Sequence, residues 1–298
     1  MAEEQDGPET PPLVADDNAV QDAFDDGDSA LGDDAGSDTT SLRSSILKYR
    51  EENGRTYHAY KDGAYVLPND ETENERLGIP GLLHHLFLLT FDGRLHAAPL
   101  PKKLRRAFDA GCGTGIWAIE FADEHPECEV TGVDLSPIQP TANLSPGGII
   151  ELIDIIYPLT SDDGTLAEDS ALYKWSTLLS SAFTANGSPM DSALKYQEQL
   201  KDTGFVDIHV VKRKWPLNRW PKDQKHKQIG MWAHQNTMDA LSALSLAVFT
   251  RPKGGGGLGW SNEELEVFLP AVRKDIRNLN IHSYWPIWSV YATKPESQ

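Results

Sequence analysis

Three glycines at alternate positions, Gly111, Gly113 and Gly115, follow directly on a carboxylate, Asp109. A second carboxylate, Asp134, lies nineteen residues beyond the last of them. Glycine has no Cβ and enters positive φ without penalty, so a turn of this composition lets backbone lie against a ligand. Three nucleotide-binding loops compete for it. A phosphate-cradling P-loop needs Gly-Lys-Ser/Thr, which the chain lacks. A dinucleotide turn needs its third glycine three residues after the second, and that position is Ile116. Nicotinamide-dependent redox chemistry therefore has no loop to use.

The turn needs a strand before it and a helix after it. The spacing predicts a strand over 104–108 ending at Asp109, a helix over 116–124 and a second strand over 129–133 ending at Asp134. Strand, glycine turn, helix, strand and acid open a doubly wound α/β sheet. Further on, the apolar run 147–156 suits a strand covered on both faces. Helices are expected over 167–181, 191–201 and 229–249, with a strand over 205–214. Gly254-Gly-Gly-Gly257 reads as a flexible joint. Ser261 and Glu264 form a capping box for a last helix with Leu265, Phe268, Leu269, Val272, Ile276 and Leu279 on one face. An aromatic strand over 284–291 closes the chain.

With 298 residues the chain can bury a sizeable core, and the net charge of −18 is unevenly spread. Thirteen of the acids sit in residues 1–40, which hold no Lys or Arg, leaving −5 on the other 258 residues. Residues 1–40 are read as a disordered acidic tail, either solvating or serving as a docking arm for a basic partner. Residues 41–100 are read as a helical, lid-like segment, with short helices over 41–50 and 68–76 and an apolar one over 82–89. His84 and His85 are adjacent on that helix and face different ways, so one buried and one solvated imidazole is expected rather than a metal pair. Residues 101–298 form the α/β domain. Cys112 and Cys128 make neither a disulfide framework nor a four-ligand zinc site, so no metal is expected. No membrane span, secretory signal or basic nucleic-acid footprint is present in the sequence, which points to a cytoplasmic or nuclear protein.

The spacing of Asp109, Gly111, Gly113 and Gly115 resembles motif I of Rossmann-like S-adenosylmethionine (SAM) methyltransferases. Asp109 suits the ligand's ammonium, directly or through water, and Asp134 suits both ribose hydroxyls. Six stretches extend the likeness: Tyr49-Arg-Glu-Glu-Asn-Gly-Arg-Thr-Tyr-His58, Pro68-Asn-Asp70, Asp109-Ala-Gly-Cys-Gly-Thr-Gly-Ile-Trp117, Asp134-Leu-Ser-Pro-Ile-Gln-Pro140, Trp220-Pro-Lys-Asp223 and His282-Ser-Tyr-Trp285. Together they resemble the fungal LaeA-like methyltransferases, SAM-dependent enzymes and regulators of secondary metabolism. The resemblance implies that Asp109, Gly111, Gly113, Gly115 and Asp134 line the cofactor, and it implies no metal.

The chain departs from that pattern after Pro140. A parallel crossover needs about 10–12 residues including its helix, and only 135–146, with prolines at 137, 140 and 146, joins the two apolar strands. Two strand–helix units of roughly 30 residues each are missing against the family pattern. Without them the halves of the sheet have no continuous ladder. The resemblance implies that the lost segment carries the polar group at the adenine and the floor beneath the methyl group. The expected protein is thus a SAM-dependent methyltransferase impaired in cofactor binding, acting on a small-molecule or protein acceptor. The other reading is a non-catalytic regulator that uses the fold as an interaction surface.

Overall fold

The computed structural model describes residues 11–17, 19, 50–52, 55–57, 82–133 and 144–296. Two short strands, β1 (Arg50–Glu52) and β2 (Arg55–Tyr57), pair antiparallel with Arg50 opposite Tyr57. Asn53-Gly54 lies between them, the dipeptide favoured in two-residue hairpin loops. A strand therefore stands at Arg50, where a helix over 41–50 was expected. The rest of that helix and the expected 68–76 helix lie outside the described residues.

The sheet is in two pieces. β3 (Arg106–Ala110) and β4 (Glu129–Val133) pair in parallel, joined by α2 (Ile116–Glu124) after α1 (Leu82–Thr90). A three-stranded sheet follows in the order β5-β7-β6, all antiparallel, from β5 (Ile149–Ile155), β6 (Val206–Pro216) and β7 (Tyr284–Thr293). No ladder joins the two sheets among the described residues.

Burial patterns explain what this division does. A parallel sheet is normally covered on both faces. Here Arg106, Phe108 and Ala110 on one face of β3 are exposed, Phe108 by 42%. Only the other face packs, on Leu95, Phe121 and Cys128. β5, expected to be enclosed, is half-buried along its whole length. Its apolar side chains pair with β7 on one edge and have no strand on the other among the described residues.

The larger core lies around the second sheet. α3 (Ala171–Ala185), α5 (Gln224–Phe249) and α6 (Asn262–Arg277) enclose Trp175, Leu179, Trp215, Ile229, Leu241, Phe249, Leu269 and Ile287, while α4 (Ala193–Asp202) covers the opposite face around Leu200, Val210 and Val290. Two fully buried indoles are satisfied: Trp175 Nε1 donates to Ser245 Oγ at 2.9 Å and Trp215 Nε1 to Thr90 Oγ1 at 2.6 Å. α6 begins with the expected capping box at Ser261 and Glu264. The glycine run 254–257, read as a flexible joint, forms the end of a 3₁₀ turn (Lys253–Gly255) and packs closely at Gly257. A Cβ on Gly257 would come within 2.2 Å of the Arg251 carbonyl oxygen, so glycine there permits a close turn.

α1 and the loop after it link the two sheets. His84 Nε2 lies 2.8 Å from Glu120 of α2, and His85 stacks edge-on to Trp232 of α5 with ring centroids 5.3 Å apart. The two histidines do face apart, but both are half-buried, in place of one buried and one solvated. Glu151 of β5 accepts from the backbone N–H groups of Ala97 (2.9 Å) and Ala98 (3.0 Å), and Trp117 Nε1 of α2 donates to the Leu95 carbonyl at 2.7 Å.

Part of the acidic tail is docked. Lys222 N–H donates to Val14 O and Asp16 N–H to Trp220 O, each at 2.8 Å, and Asp16 pairs with Lys227. Backbone pairing at Ala15 and Pro221, together with that ion pair, holds the segment where composition alone offered no anchor. Among the described residues no helix is long and apolar enough to cross a membrane.

Candidate functional site

The glycine turn sits where β3 ends. β3 and β4 run side by side with Asp109 opposite Gly132 and Ala110 opposite Val133. Gly111 N–H (2.7 Å) and Cys112 N–H (3.0 Å) both donate to the Val133 carbonyl, which fastens the turn to the end of β4. Gly115 N–H donates back to Cys112 O at 2.8 Å and the chain enters α2. The three glycines have φ of 82°, 51° and 79°, the left-handed region that side chains oppose. Among the described residues a Cβ built on any of them meets no atom within 4 Å, so they leave the space before the turn open.

Gly132 serves a different purpose. A Cβ there would stand 3.1 Å from both Cβ and Sγ of Cys112, so its absence lets the turn close over β4. Behind the turn, Trp117 stacks on Phe121 at 4.6 Å, which seats α2 against Leu95 and the β3–β4 pair. The open concave backbone, the carboxylate at the strand end and the helix N-terminus behind them fit a zwitterionic amino-acid end of a ligand.

The sequence-derived site divides clearly. Asp109, Gly111, Gly113 and Gly115 come together in one turn. Asp134 lies outside the described residues, immediately after Val133, the last paired residue of β4. The junction at Pro140 and Thr141 is likewise outside them.

Two motifs of the family likeness are architectural. Trp220 packs on His282 with centroids 4.8 Å apart and donates to the Ser283 carbonyl at 3.0 Å. Asp223 caps α5 by accepting from His226 N–H at 2.9 Å. His282 Nδ1 lies 2.5 Å from Asp163. Burial opposes the charge on Asp163, but bonds from His282, Ser161 and Thr165 outweigh it and hold the carboxyl well below its ordinary range. Tyr284 donates to Asp162 at 2.6 Å, and Trp285 enters the core beside Tyr157. These residues lock the loop after β5 to the closing strand. Sequence reasoning passed over their pairing because Asp163 and His282 are 119 residues apart and Asp162 and Tyr284 122.

Comparison with known proteins agrees with this picture. A family model described as a methyltransferase domain matches residues 107–143, from β3 to the junction. Methyltransferase pytC of Aspergillus terreus is 31% identical, over 88% of this chain and 93% of its own. Secondary metabolism regulator LAE1 of Cochliobolus heterostrophus is 32% identical, over 82% and 94%. Protein-methionine methyltransferase laeA of Emericella nidulans is 30% identical, over 83% and 77%. In the match with pytC, 88% of 298 residues is about 262, against 309 aligned positions, so about 47 positions face no residue here.

Proposed function

The chain belongs to the fungal LaeA-like family of SAM-dependent methyltransferases, and from that premise we propose that its glycine turn is the cofactor cradle, left with one wall incomplete. The observation that carries the proposal is the set of three left-handed glycines facing open space directly after Asp109. Bound SAM supplies a methyl group made electrophilic by its sulfonium. Asp109 orients the ammonium of the amino-acid end. Gly111, Gly113 and Gly115 let the backbone approach the carboxylate end without steric conflict. Asp134, next in the chain after β4, accepts from the ribose hydroxyls.

What this chain contributes to the reaction is placement. Methyl transfer is an in-line displacement, and holding two reactants in line supplies effective molarities of roughly 10⁵ M or more. The exposed face of β3 and the edge of β5, which has no strand partner among the described residues, support this reading of an incomplete sheet. Loss of that wall weakens cofactor binding and orientation together. The acceptor is a protein side chain or a small molecule. The protein-methionine activity in the name of one relative supports the first. The protein acts in the cytoplasm or nucleus.

A second reading is supported by the same incomplete wall and by the relatives named as regulators: a regulatory protein that retains the fold and not the transfer. Incubation with methyl-tritiated SAM and fungal extract separates the two. Label incorporation that disappears in Gly113→Arg supports the enzyme. No incorporation, with the fold intact by circular dichroism, supports the regulator.

A further inference from the structure

The outer face of the β3–β4 pair carries three rungs: Arg106 opposite Glu129, Phe108 opposite Thr131 and Ala110 opposite Val133. Side chains alternate along a strand, so these six point away from α2, which packs on the face holding Ala107 and Val130. Arg106, Phe108, Ala110, Glu129 and Thr131 are exposed, with an aromatic ring at the centre of the face. Its two first residues are charged. Among the described residues neither Arg106 nor Glu129 forms a salt bridge, with the other or with a third group. Burial and then the Glu129 charge push the neighbouring Cys128 thiol up, so that contact gives the carboxylate no cation. Lys102, Lys103 and Arg105 extend the positive approach to β3, and Glu124 and Glu127 the negative approach to β4, all five exposed. Glu129 N–H donates to the Arg105 carbonyl at 2.8 Å, which holds the two charged ends side by side.

A second copy of this chain matches that face. Half a turn about an axis along the strands, above the face and midway between β3 and β4, sets β3 of one copy over β4 of the other. Strand direction and register are kept, so Arg106 of each copy meets Glu129 of the other, Phe108 meets Thr131 and Ala110 meets Val133. Packed sheets stand about 10 Å apart, a gap that an arginine and a glutamate reaching from opposite sides span. The same rotation brings the cations at 102–105 over the acids at 124–127. The other half-turn, about an axis across the strands, leaves Arg106 over Ala110 and pairs no charge. A nucleic acid or an acidic peptide would meet three carboxylates beside the cations, so a partner of one charge sign fits poorly. Five residues on each of two strands cover about 17 Å by 10 Å, well short of the roughly 800 Å² per partner of a standard interface. The contact is therefore weak and sensitive to salt.

We infer that this chain self-associates through the outer face of β3 and β4, as a two-fold dimer in which two Arg106–Glu129 pairs close one end of the contact and the two Phe108 rings lie diagonally across its centre. The second copy covers the face that the divided sheet leaves bare. The inference is independent of the cofactor assignment, since Asp109 alternates to the opposite face of β3 and the glycine turn lies beyond the strand.

Sedimentation velocity on the intact chain tests it, at protein concentrations up to about 0.5 mM, where weak interfaces are populated. The expected result is a reversible monomer–dimer equilibrium in about 50 mM salt that weakens at least fivefold in about 0.5 M salt. Arg106→Glu alone and Glu129→Arg alone should each weaken it at least tenfold, because each sets like charges against one another across the contact. An equimolar mixture of the two variants should restore a dimer, since every pair between the copies is then of opposite sign. That recovery cannot come from chains that failed to fold, and circular dichroism checks each variant alone. Three results overturn the inference: a monomer at every concentration, a dimer indifferent to both charge reversals, or reversals that weaken it with no recovery on mixing. The first would leave the bare face to a partner other than a second copy.

Discussion

Glu151→Ala should separate the two halves of this protein without unfolding the larger one. The Glu151 carboxylate accepts from Ala97 N–H, Ala98 N–H and Ser289 Oγ, the last at 2.6 Å. Ala98 is buried, so its N–H has no water to turn to once the carboxylate is gone. Leaving a buried donor without an acceptor costs about 1–3 kcal/mol. Only the two backbone donors cross between the halves, since Ser289 belongs to β7 beside Glu151; taking the low end for each, because Glu151 itself is half-buried, gives about 2 kcal/mol. At about 1.4 kcal/mol per factor of ten, that is roughly a thirtyfold rise in local opening. The loss falls on one side, because β3, β4 and α2 have only a small core of their own around Leu95 and Phe121. The larger core, with Trp175, Trp215 and Leu241, does not use Glu151. Native-state hydrogen exchange read by mass spectrometry is the assay. Protection over 93–133 should drop roughly thirtyfold while α3, α5 and α6 keep theirs, and Glu151→Gln should recover part of the loss. An equal fall in both halves, or a change below threefold over 93–133, would refute the idea that this carboxylate is their chief clasp.

The remaining predictions concern packing and titration. Gly230→Ala places a Cβ 2.0 Å from the Asn218 carbonyl oxygen, so α5 must shift off the loop after β6. Overpacking of this kind costs about 1–3 kcal/mol, to be read as a lowered urea midpoint at unchanged slope. Burial pushes the His234 imidazole below its ordinary value, outweighing its hydrogen bond to Leu217. The folded state therefore binds fewer protons than the unfolded one. Its stability is full above the unfolded pKa of about 6.5 and falls as pH drops through that value toward the lower folded pKa. His234→Gln should flatten the urea midpoint between pH 7.5 and 5.5, and an unchanged slope would count against a buried neutral imidazole. Gly113→Arg, at φ 51°, strains the turn through its backbone and not through a clash, so cofactor affinity should fall while global stability hardly moves.

Local signals in the sequence served well for the turn and its flanking elements. β3, α2 and β4 fall within two residues of their expected bounds, because glycine spacing and short apolar runs are themselves local. The same holds for α6, whose cap is written in Ser261 and Glu264. α5 starts at Gln224, five residues before the apolar pattern announces it, since its first turn is polar and depends on the Asp223 cap. The division of the sheet was also legible, from the impossibility of a crossover between Asp134 and Ile149. What was not legible is what replaces the missing ladder. The clasp by α1 and its loop depends on contacts such as His84 with Glu120 and Trp215 with Thr90, between residues 36 and 125 apart. The docked tail was hidden for a related reason. Composition records that 11–17 is weakly apolar, and says nothing of the Lys227 and Trp220 that await it.

Calorimetric titration with SAM tests the central claim most directly, run on this chain and on a form with the corresponding segment of pytC inserted between Pro140 and Thr141. The account expects micromolar binding by the restored form, abolished by Gly113→Arg, and affinity at least tenfold weaker in the chain as it stands. A restored, folded protein that gives no heat of binding would contradict the assignment of the glycine turn. Equal affinity in the two forms would contradict the missing wall.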